Sequence, residues 1–448
     1  MTNGLLRFFA GAADKPEITD KQEIERQYRR NRVRVMLAIT LGYGLIYTCR
    51  LALGMVKKPL INAGIFTPED LGLIGSAVFL AYGIGKLTNG FLADHSNVKR
   101  FMAAGFLGTA ACNLAMGCNT TLWLAIVLWG MNGWFQSFGA PAGVVAMTAW
   151  FPTNVRGRIY GIWSTAHSIG EGLTFVVIGA IVASFGWRFG FWGPGMIGVV
   201  TSAGVFLLLA DRPTTLGLPE VNAWKNNKPR KTAEQNIKSV LALQLSILKL
   251  PSIWILCASS ATIYVTRYAI DSWGVLYLQE SRGYSLTMAG TLLMVNTLAG
   301  IVGAIAFGFI SDNLFDARRP PTNLLFAILE LLGLFLFFFG PNDLPVLTVS
   351  MVMFGMGMTG LVTSLGGLFA VDVAPNRVAG AAMGVIGVCS YIAAGIEEQV
   401  SGAMIQHGMH LVNGQHKYNF GPVICFWIGS SVLSLLLALS LWGTRATD

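Results

Sequence analysis

Two arginines constrain the chemistry of this sequence more than any other residues. Arg50 and Arg267 each stand about 15 residues inside a long apolar stretch, too deep to reach water easily at about 1.5 Å of helix per residue. An arginine at such depth costs several kcal/mol unless it faces a watered cavity or a partner. A structural charge pair is the plainer alternative, but few acids stand near Arg50 in the sequence to supply one. The two occur in matching contexts, Tyr47-Thr-Cys-Arg50 and Tyr264-Val-Thr-Arg267. Brought together, two forked guanidiniums make a dicationic site suited to a phosphate dianion. A monocarboxylate or a neutral sugar would leave positive charge uncompensated there.

Further polar residues interrupt the apolar stretches. Lys86, in Ala81-Tyr-Gly-Ile-Gly-Lys86, either faces the same site or snorkels to a membrane surface. His167 is either a hydrogen-bonded helix contact or a donor to phosphate that titrates with transport. Glu171, one turn further, is placed to pair with His167, and Asp271 is placed to pair with Arg267 on its own helix. Tyr43, Tyr47, Tyr264 and Tyr391 serve equally well as site or packing residues. Glu397 and Glu398 are adjacent and point to different faces, so at least one is expected to reach a cavity or outer water; coupling or gating is open to them, as to Asp271 and Glu171. The sequence holds no nucleophile–base constellation, no cluster of metal ligands and no cofactor motif, so neither an enzyme nor a metal or cofactor protein is expected.

The elements that must position these residues are membrane helices. Of the 448 residues 54% are hydrophobic and only 12% charged, against roughly 25% charged in soluble domains. Spans are expected near 36–55, 70–93, 101–118, 122–145, 158–184, 190–210, 251–278, 286–311, 322–340, 345–370, 378–403 and 421–443, each long enough to cross about 30 Å of hydrocarbon. This divides the chain into a cytoplasmic N-terminal segment 1–35, a six-helix half 36–210, a polar cytoplasmic linker 211–250 and a second half 251–448. The N-terminus, dense in Glu, Lys and Arg, carries no secretory signal. The net charge of +9 does not point to nucleic acid, because its Lys and Arg gather on one side of the membrane. If the N-terminus is inside, the cytoplasmic segments hold 23 Lys/Arg and the opposite side five, which sets both termini in the cytoplasm. The six cysteines are scattered and read as small buried residues.

An internal repeat supports two equivalent halves. Gly90-Phe-Leu-Ala-Asp94, followed by Lys99-Arg100, returns as Gly308-Phe-Ile-Ser-Asp312, followed by Arg318-Arg319, and the aspartates are 218 residues apart. The two arginine contexts repeat at a spacing of 217. Parallel six-helix halves with a site between them, and this loop after the second helix, resemble the major facilitator superfamily. The predicted fold is therefore all-α, integral to the membrane, with twelve helices in two six-helix halves.

Nearly the whole chain resembles the organophosphate:phosphate antiporter family. The likeness rests on Thr19-Asp-Lys-Gln-Glu-Ile-Glu-Arg-Gln-Tyr-Arg29, the Tyr43 to Arg50 stretch, the Lys86 motif, Gly133-Trp-Phe-Gln136, Trp163 to His167, and Tyr264 to Trp273. The linker start, Asp211-Arg-Pro-Thr-Thr-Leu-Gly-Leu-Pro, is similar to the hexose-phosphate branch, which contains both transporters and sensors. The resemblance implies exchange of an organophosphate, glucose 6-phosphate foremost, for inorganic phosphate. It implies that Arg50 and Arg267 hold the phosphoryl group and that Tyr43, Tyr47, Lys86, His167 and Tyr391 line the cavity. The chain departs from relatives in having Leu51 where several have Lys, Thr359-Gly-Leu-Val-Thr-Ser-Leu-Gly where an aromatic-Gly-Pro element is common, and the Glu397-Glu398 pair. The attached sugar is expected to lean on unshared residues: His167 and Gln136 on one side, Tyr391 with Thr363 and Ser364 on the other.

The expected mechanism is alternating access. Mutual repulsion of the empty arginines would disfavour closure, and a bridging phosphate would favour it. Two rivals stand beside it: a receptor that senses hexose phosphate and signals to a membrane partner, and a proton-coupled symporter of a sugar or other small molecule using Glu171, Glu397 or Glu398. The expected partners are sugar phosphate, inorganic phosphate and the lipid bilayer. The chain is expected to be a monomer in a bacterial inner (plasma) membrane.

Overall fold

A computed structural model of the chain describes residues 8–11, 13–224, 247–316, 318–369, 372, 379–412 and 415–443. The middle of the expected linker, the last residue of the tenth predicted span and the first of the eleventh lie outside these. Eleven of the described helices are long and apolar enough to cross a membrane. In chain order they are α1 (Lys21–Asn62), α2 (Pro68–Asp94), α3 (Val98–Cys118), α5 (Thr153–Phe185), α6 (Phe189–Leu208), α7 (Pro251–Glu280), α8 (Leu286–Leu314), α9 (Arg319–Phe339), α10 (Leu344–Leu368), α11 (Ala379–His407) and α12 (Gly421–Ser440). The remaining crossing, α4, is made in two pieces, Leu122–Gln136 and Gly139–Trp150. Pro141 has no N–H for the Ser137 carbonyl and its ring crowds that position, which breaks the helix there. With twelve crossings, the start of α1, the end of α12 and the described start of the linker lie on one side, the linker face; the opposite side is the far face.

Local sequence sets most helix starts. Thr67 and Asp70 form a reciprocal capping box at α2, with N–H to side-chain oxygen distances of 2.9 and 3.1 Å. Asn97 caps α3 and Ser285 caps α8. The structure differs from expectation at both ends of α1. The helix reaches back to Lys21, into the stretch expected as a separate N-terminal segment, and on to Asn62, which carries Lys57 into the span. A two-stranded antiparallel hairpin, β1 (Met409–Val412) with β2 (Gln415–Tyr418), joins α11 to α12 on the far face. The start of the linker docks on the first half. Asp211 accepts from the Val98 N–H at 2.9 Å, and the Tyr28 hydroxyl donates to the Pro219 carbonyl. Three of the six cysteines are buried as expected, but Cys118 and Cys425 are exposed.

Helix crossings that matter for the interior are made at glycine. A Cβ at Gly170 of α5 would overlap the Gly44 carbonyl of α1, so only glycine permits this contact. Gly170→Ala should therefore destabilise the purified protein by about 1–3 kcal/mol through overpacking. Gly157→Ala, on the same helix with open space around it, should be neutral or stabilise by up to about 1 kcal/mol. Thermal unfolding of the two variants in detergent compares them, and equal behaviour would remove the crossing argument.

Candidate functional site

The interior site begins where α1 tightens. Tyr47 keeps helical backbone angles, but the hydrogen-bond ladder tightens there: the Arg50 N–H donates to the Tyr47 carbonyl at 2.9 Å, and the Thr48 hydroxyl donates to the Leu45 carbonyl at 2.7 Å. Carbonyls freed near such a turn must be satisfied inside the protein. Asn113 and Asn132 donate to the Cys49 carbonyl at 3.2 and 3.0 Å, and Gln136 donates to the Ile46 carbonyl at 3.4 Å. These three amides hold the α1 backbone on either side of Tyr47, and Arg50 lies one turn beyond it.

Arg50 is 3% exposed and is surrounded by rings rather than acids. Its guanidinium carbon lies 4.2 Å from the ring centroid of Tyr82, 5.3 Å from Tyr391, 5.4 Å from Phe79 and 5.5 Å from Tyr47. Nη2 donates to the Tyr268 hydroxyl at 3.4 Å, while Nε and Nη1 are buried without a partner. Among the described residues no carboxylate pairs with Arg50. Aromatic faces supply attraction worth about 2 kcal/mol each when desolvated, yet two of the N–H groups still face no acceptor.

Arg267 has a different environment. Its Nη2 lies 3.4 Å from Glu171 Oε2, on α5 of the other half, and its Nε lies 3.5 Å from Asp271 Oδ2 on its own helix. The intrahelical pair is as expected. Glu171, however, reaches across to Arg267 rather than pairing with His167. The expected repulsion between two bare arginines therefore does not describe this conformation, because Glu171 already neutralises one of them and ties the halves together. Both guanidiniums face the Tyr268 ring, at 5.9 Å for Arg50 and 5.5 Å for Arg267. They share one aromatic wall without touching.

His167 lies against this arrangement, 6.0 Å from the Tyr47 ring and 3.4 Å from the Ser168 hydroxyl. With Glu171, Arg267, Asp271, Asn296 and Thr359 it lines a cavity of about 20 Å³, room for one or two waters. A second void, of about 10 Å³, is bordered by Arg50, Asp271, Ser272 and Glu398. A phosphorylated sugar enters only if the halves move apart.

Lys86 is exposed on α2, and its Nζ lies 5.1 Å from the centroid of the buried Tyr391 ring. It faces the opposite half on the linker side of the arginines. Tyr391 stands among these groups, 4.8 Å from the Tyr82 ring and 5.8 Å from Tyr264. Tyr43 packs further back, its hydroxyl 3.4 Å from that of Tyr82. Gln136 is buried and braces the α1 backbone beside the site. In α10 the lining residues are Phe354, Met358 and Thr359, about one turn before Thr363 and Ser364. Thr363 donates to the Thr359 carbonyl at 2.8 Å, and the buried Ser364 hydroxyl begins a π-helical turn.

The far face is closed by a second charge cluster that the sequence reading missed. Lys57 is fully buried, its Nζ 3.0 Å from Glu398 Oε2, 2.7 Å from the Ser272 hydroxyl and 3.1 Å from the Trp273 ring centroid. Glu397 is buried on another face, where Ser401 donates to it at 2.6 Å. Neither acid reaches outer water; Glu398 instead borders the small void beside Arg50, and α2 packs closely on its backbone: a Cβ at Gly72 would lie 2.5 Å from the Glu398 carbonyl. The first expected span, 36–55, stops short of Lys57, which the longer helix carries inside. The sequence reading also misses Tyr82, which lies inside the Ala81–Lys86 motif, and Tyr268, which follows Arg267.

A family description, the Major Facilitator Superfamily, matches residues 39–396. The chain belongs to that superfamily and, within it, to the organophosphate:phosphate antiporter branch. It is a multi-pass membrane protein of a transporter family and not an enzyme. It is 34% identical to the membrane sensor protein UhpC of Escherichia coli (strain K12), over 88% of this chain and 90% of that one. To a probable hexose phosphate transport protein of Chlamydia trachomatis it is 29% identical, over 95% and 94%. A crystal structure of a bacterial homologue of the human lysosomal transporter Spinster, inward-facing and unoccupied, superposes with a TM-score of 0.75 at 16% identity, over 93% of this chain and 99% of that one.

The Lys57–Glu398 pair is testable. Lys57→Met leaves a buried carboxylate without its cation and should destabilise the protein by about 3–5 kcal/mol. Lys57→Met with Glu398→Met should recover most of that loss. Thermal unfolding in detergent reads both, and an equal loss in the single and double variants would show that the two charges act independently.

Proposed function

We propose that the chain binds the phosphoryl group of a sugar phosphate between Arg50 and Arg267 and exchanges it for inorganic phosphate by alternating access. The observation that carries this reading is Arg50: a buried guanidinium with two unpartnered N–H groups and no carboxylate on it. A dianion bridging both arginines supplies the missing acceptors as charge-assisted hydrogen bonds. The hexose-phosphate relative supports a phosphorylated sugar, with glucose 6-phosphate the first compound to assay. Lys86 and His167 add donors around the phosphoryl group, and the tyrosines offer faces to the sugar.

Access in this conformation lies toward the linker face, where Lys86 is exposed, while Lys57–Glu398 closes the far face. We assign the linker face to the cytoplasm from the distribution of Lys and Arg. To cross, the substrate draws Arg50 and Arg267 together, displaces Glu171 from Arg267 and closes the linker side; the Lys57–Glu398 contact then parts. The carboxylate of Glu171 holds the place of the substrate on Arg267 when the site is empty.

A second reading is a sensor, favoured by the 34% identity to a named membrane sensor over most of both chains. The site chemistry would be the same and the output would pass to a partner. Counterflow of labelled phosphate in vesicles containing only this protein separates the two. Accumulation establishes exchange, and ligand binding without flux establishes the sensor.

Two substitutions test the site itself. Arg50→Lys and Arg267→Lys should each weaken phosphate binding about 10- to 150-fold, the equivalent of one charged hydrogen bond of roughly 1.5–3 kcal/mol. An ammonium keeps the charge and loses the fork. Calorimetry or counterflow measures this, and near-normal affinity in either variant refutes the two-arginine clamp. Glu171→Gln should act in the opposite direction, tightening phosphate binding at least about fivefold by removing roughly 1 kcal/mol of competition for Arg267. Unchanged affinity in that variant would show that Glu171 does not compete with substrate.

A further inference from the structure

On the linker side of the first half, away from the central site, α1, α3 and α6 enclose a cavity of about 590 Å³. The helices are tightly packed here. A Cβ at Gly42 of α1 would lie 2.7 Å from Val205 of α6, and Ser202 of α6 donates to the Ala103 carbonyl of α3 at 2.7 Å. The cavity is lined by five cations, Lys15, Arg30, Arg34, Lys99 and Arg100, and by Asn31. Asp211 is the acid in the lining, and its two oxygens are occupied by the Asn97 side chain and the Val98 N–H. Its charge is committed to capping α3.

The cations are available to a ligand. Arg30 and Arg34 are exposed and make no hydrogen bond or ion pair among the described residues. Lys99 rests over the Phe206 ring at 4.6 Å, and Arg100 uses Nη1 for the Phe8 carbonyl at 3.0 Å. A separate observation points to an absent acceptor. Asn31 is 4% exposed, and its Nδ2 is buried without a partner. A buried amide donor left unsatisfied is costly, and this one belongs to a residue of the cavity wall.

The surroundings identify the ligand's other end. Along α1 the exposed residues recur as Val33, Leu37, Leu41 and Leu45, a stripe at helical spacing that meets hydrocarbon. Arg30 and Arg34 continue this side of the helix towards the linker face. On α6 the corresponding exposed residues are Met196, Val200 and Leu207, the last at 76%. An apolar surface on two helices thus runs directly into a pocket of uncompensated positive charge at headgroup depth. A soluble phosphate would use the charge but not the stripe, whereas a phospholipid uses both.

We propose that this cavity is a binding site for an anionic phospholipid of the leaflet on the linker side. The phosphodiester lies against Arg30, Arg34 and Lys99 and accepts from Asn31 Nδ2, and the acyl chains run along Val33, Leu37 and Leu207. The site is distinct from the one between the halves.

Native mass spectrometry of the detergent-purified protein, titrated with phosphatidylglycerol or phosphatidylcholine, tests this. Phosphatidylglycerol should be retained in preference to phosphatidylcholine. Arg30→Gln with Arg34→Gln should weaken its retention about 10- to 30-fold, since each interfacial cation is worth roughly a factor of five. Both side chains are exposed and unpartnered, so the fold should survive, and a thermal melt checks it. The control, Lys249→Gln with Arg318→Gln, removes the same charge from the linker side of the other half and should leave retention unchanged. Equal losses in the two pairs would reduce the effect to general surface charge and overturn the proposal. So would equal retention of the two lipids. Displacement of the bound lipid by excess inorganic phosphate would make this a free-phosphate site and would also overturn it.

Discussion

A guanidinium enclosed in a membrane protein without a carboxylate has to find its compensation in weaker and more directional groups, and those groups must be held where they are needed. Arg50 is in that position. Four rings surround it within 5.5 Å, a tyrosine hydroxyl accepts one N–H, and the backbone that carries it is fixed by amides from α3 and α4. The tightened turn of α1 at Tyr47, the close approach of α5 at Gly170 and the position of Tyr391 all serve to surround this charge. The low dielectric makes the incomplete compensation consequential, because the same surroundings that leave Arg50 unsatisfied strengthen any anion that reaches it.

The repeated sequence places two arginines at equivalent positions and the structure treats them differently. Arg267 is held by two carboxylates, one of them from the opposite half, whereas Arg50 has none. In the proposed exchange, a bridging dianion would find one arginine open and would have to take the other from Glu171. That would give the substrate differential contacts in two states of the protein, which a ligand needs in order to move an equilibrium. The Lys57–Glu398 pair sets the opposing condition on the far face. It joins α1 to α11 across the two halves, and Glu398 borders the same small void as Arg50.

The central cluster and the linker-edge cluster hold their cations in different settings. In the centre the charge is buried, ordered by rings and limited to a few groups. At the linker edge of the first half the cations are solvated, numerous and continuous with lipid-facing apolar residues. The first setting suits the fork geometry of the proposed phosphoryl site and the second suits the proposed contact with a headgroup.

The sequence by itself pointed to an all-helical membrane fold of about twelve crossings and to an internal repeat, and it singled out Arg50, Arg267, Lys86 and His167 as charged or titratable groups inside the spans. These follow from apolar length, from local repetition and from the rarity of charge in hydrocarbon, all of which are properties of short stretches of chain. It also anticipated the Arg267–Asp271 pair, since four residues make one helical turn. Only the tertiary structure decided that Glu171 reaches Arg267 rather than His167, that Lys57 belongs to a buried pair with Glu398, and that Tyr82 and Tyr268 complete the walls around the arginines. Apart from Arg267 and its neighbour Tyr268, these contacts join residues from 32 to 341 positions apart, Arg50 to Tyr82 being the shortest span and Lys57 to Glu398 the longest. Partner choice at that distance depends on how helices cross, and the crossings are set by glycines and backbone carbonyls that leave no charge or periodicity to read in the sequence.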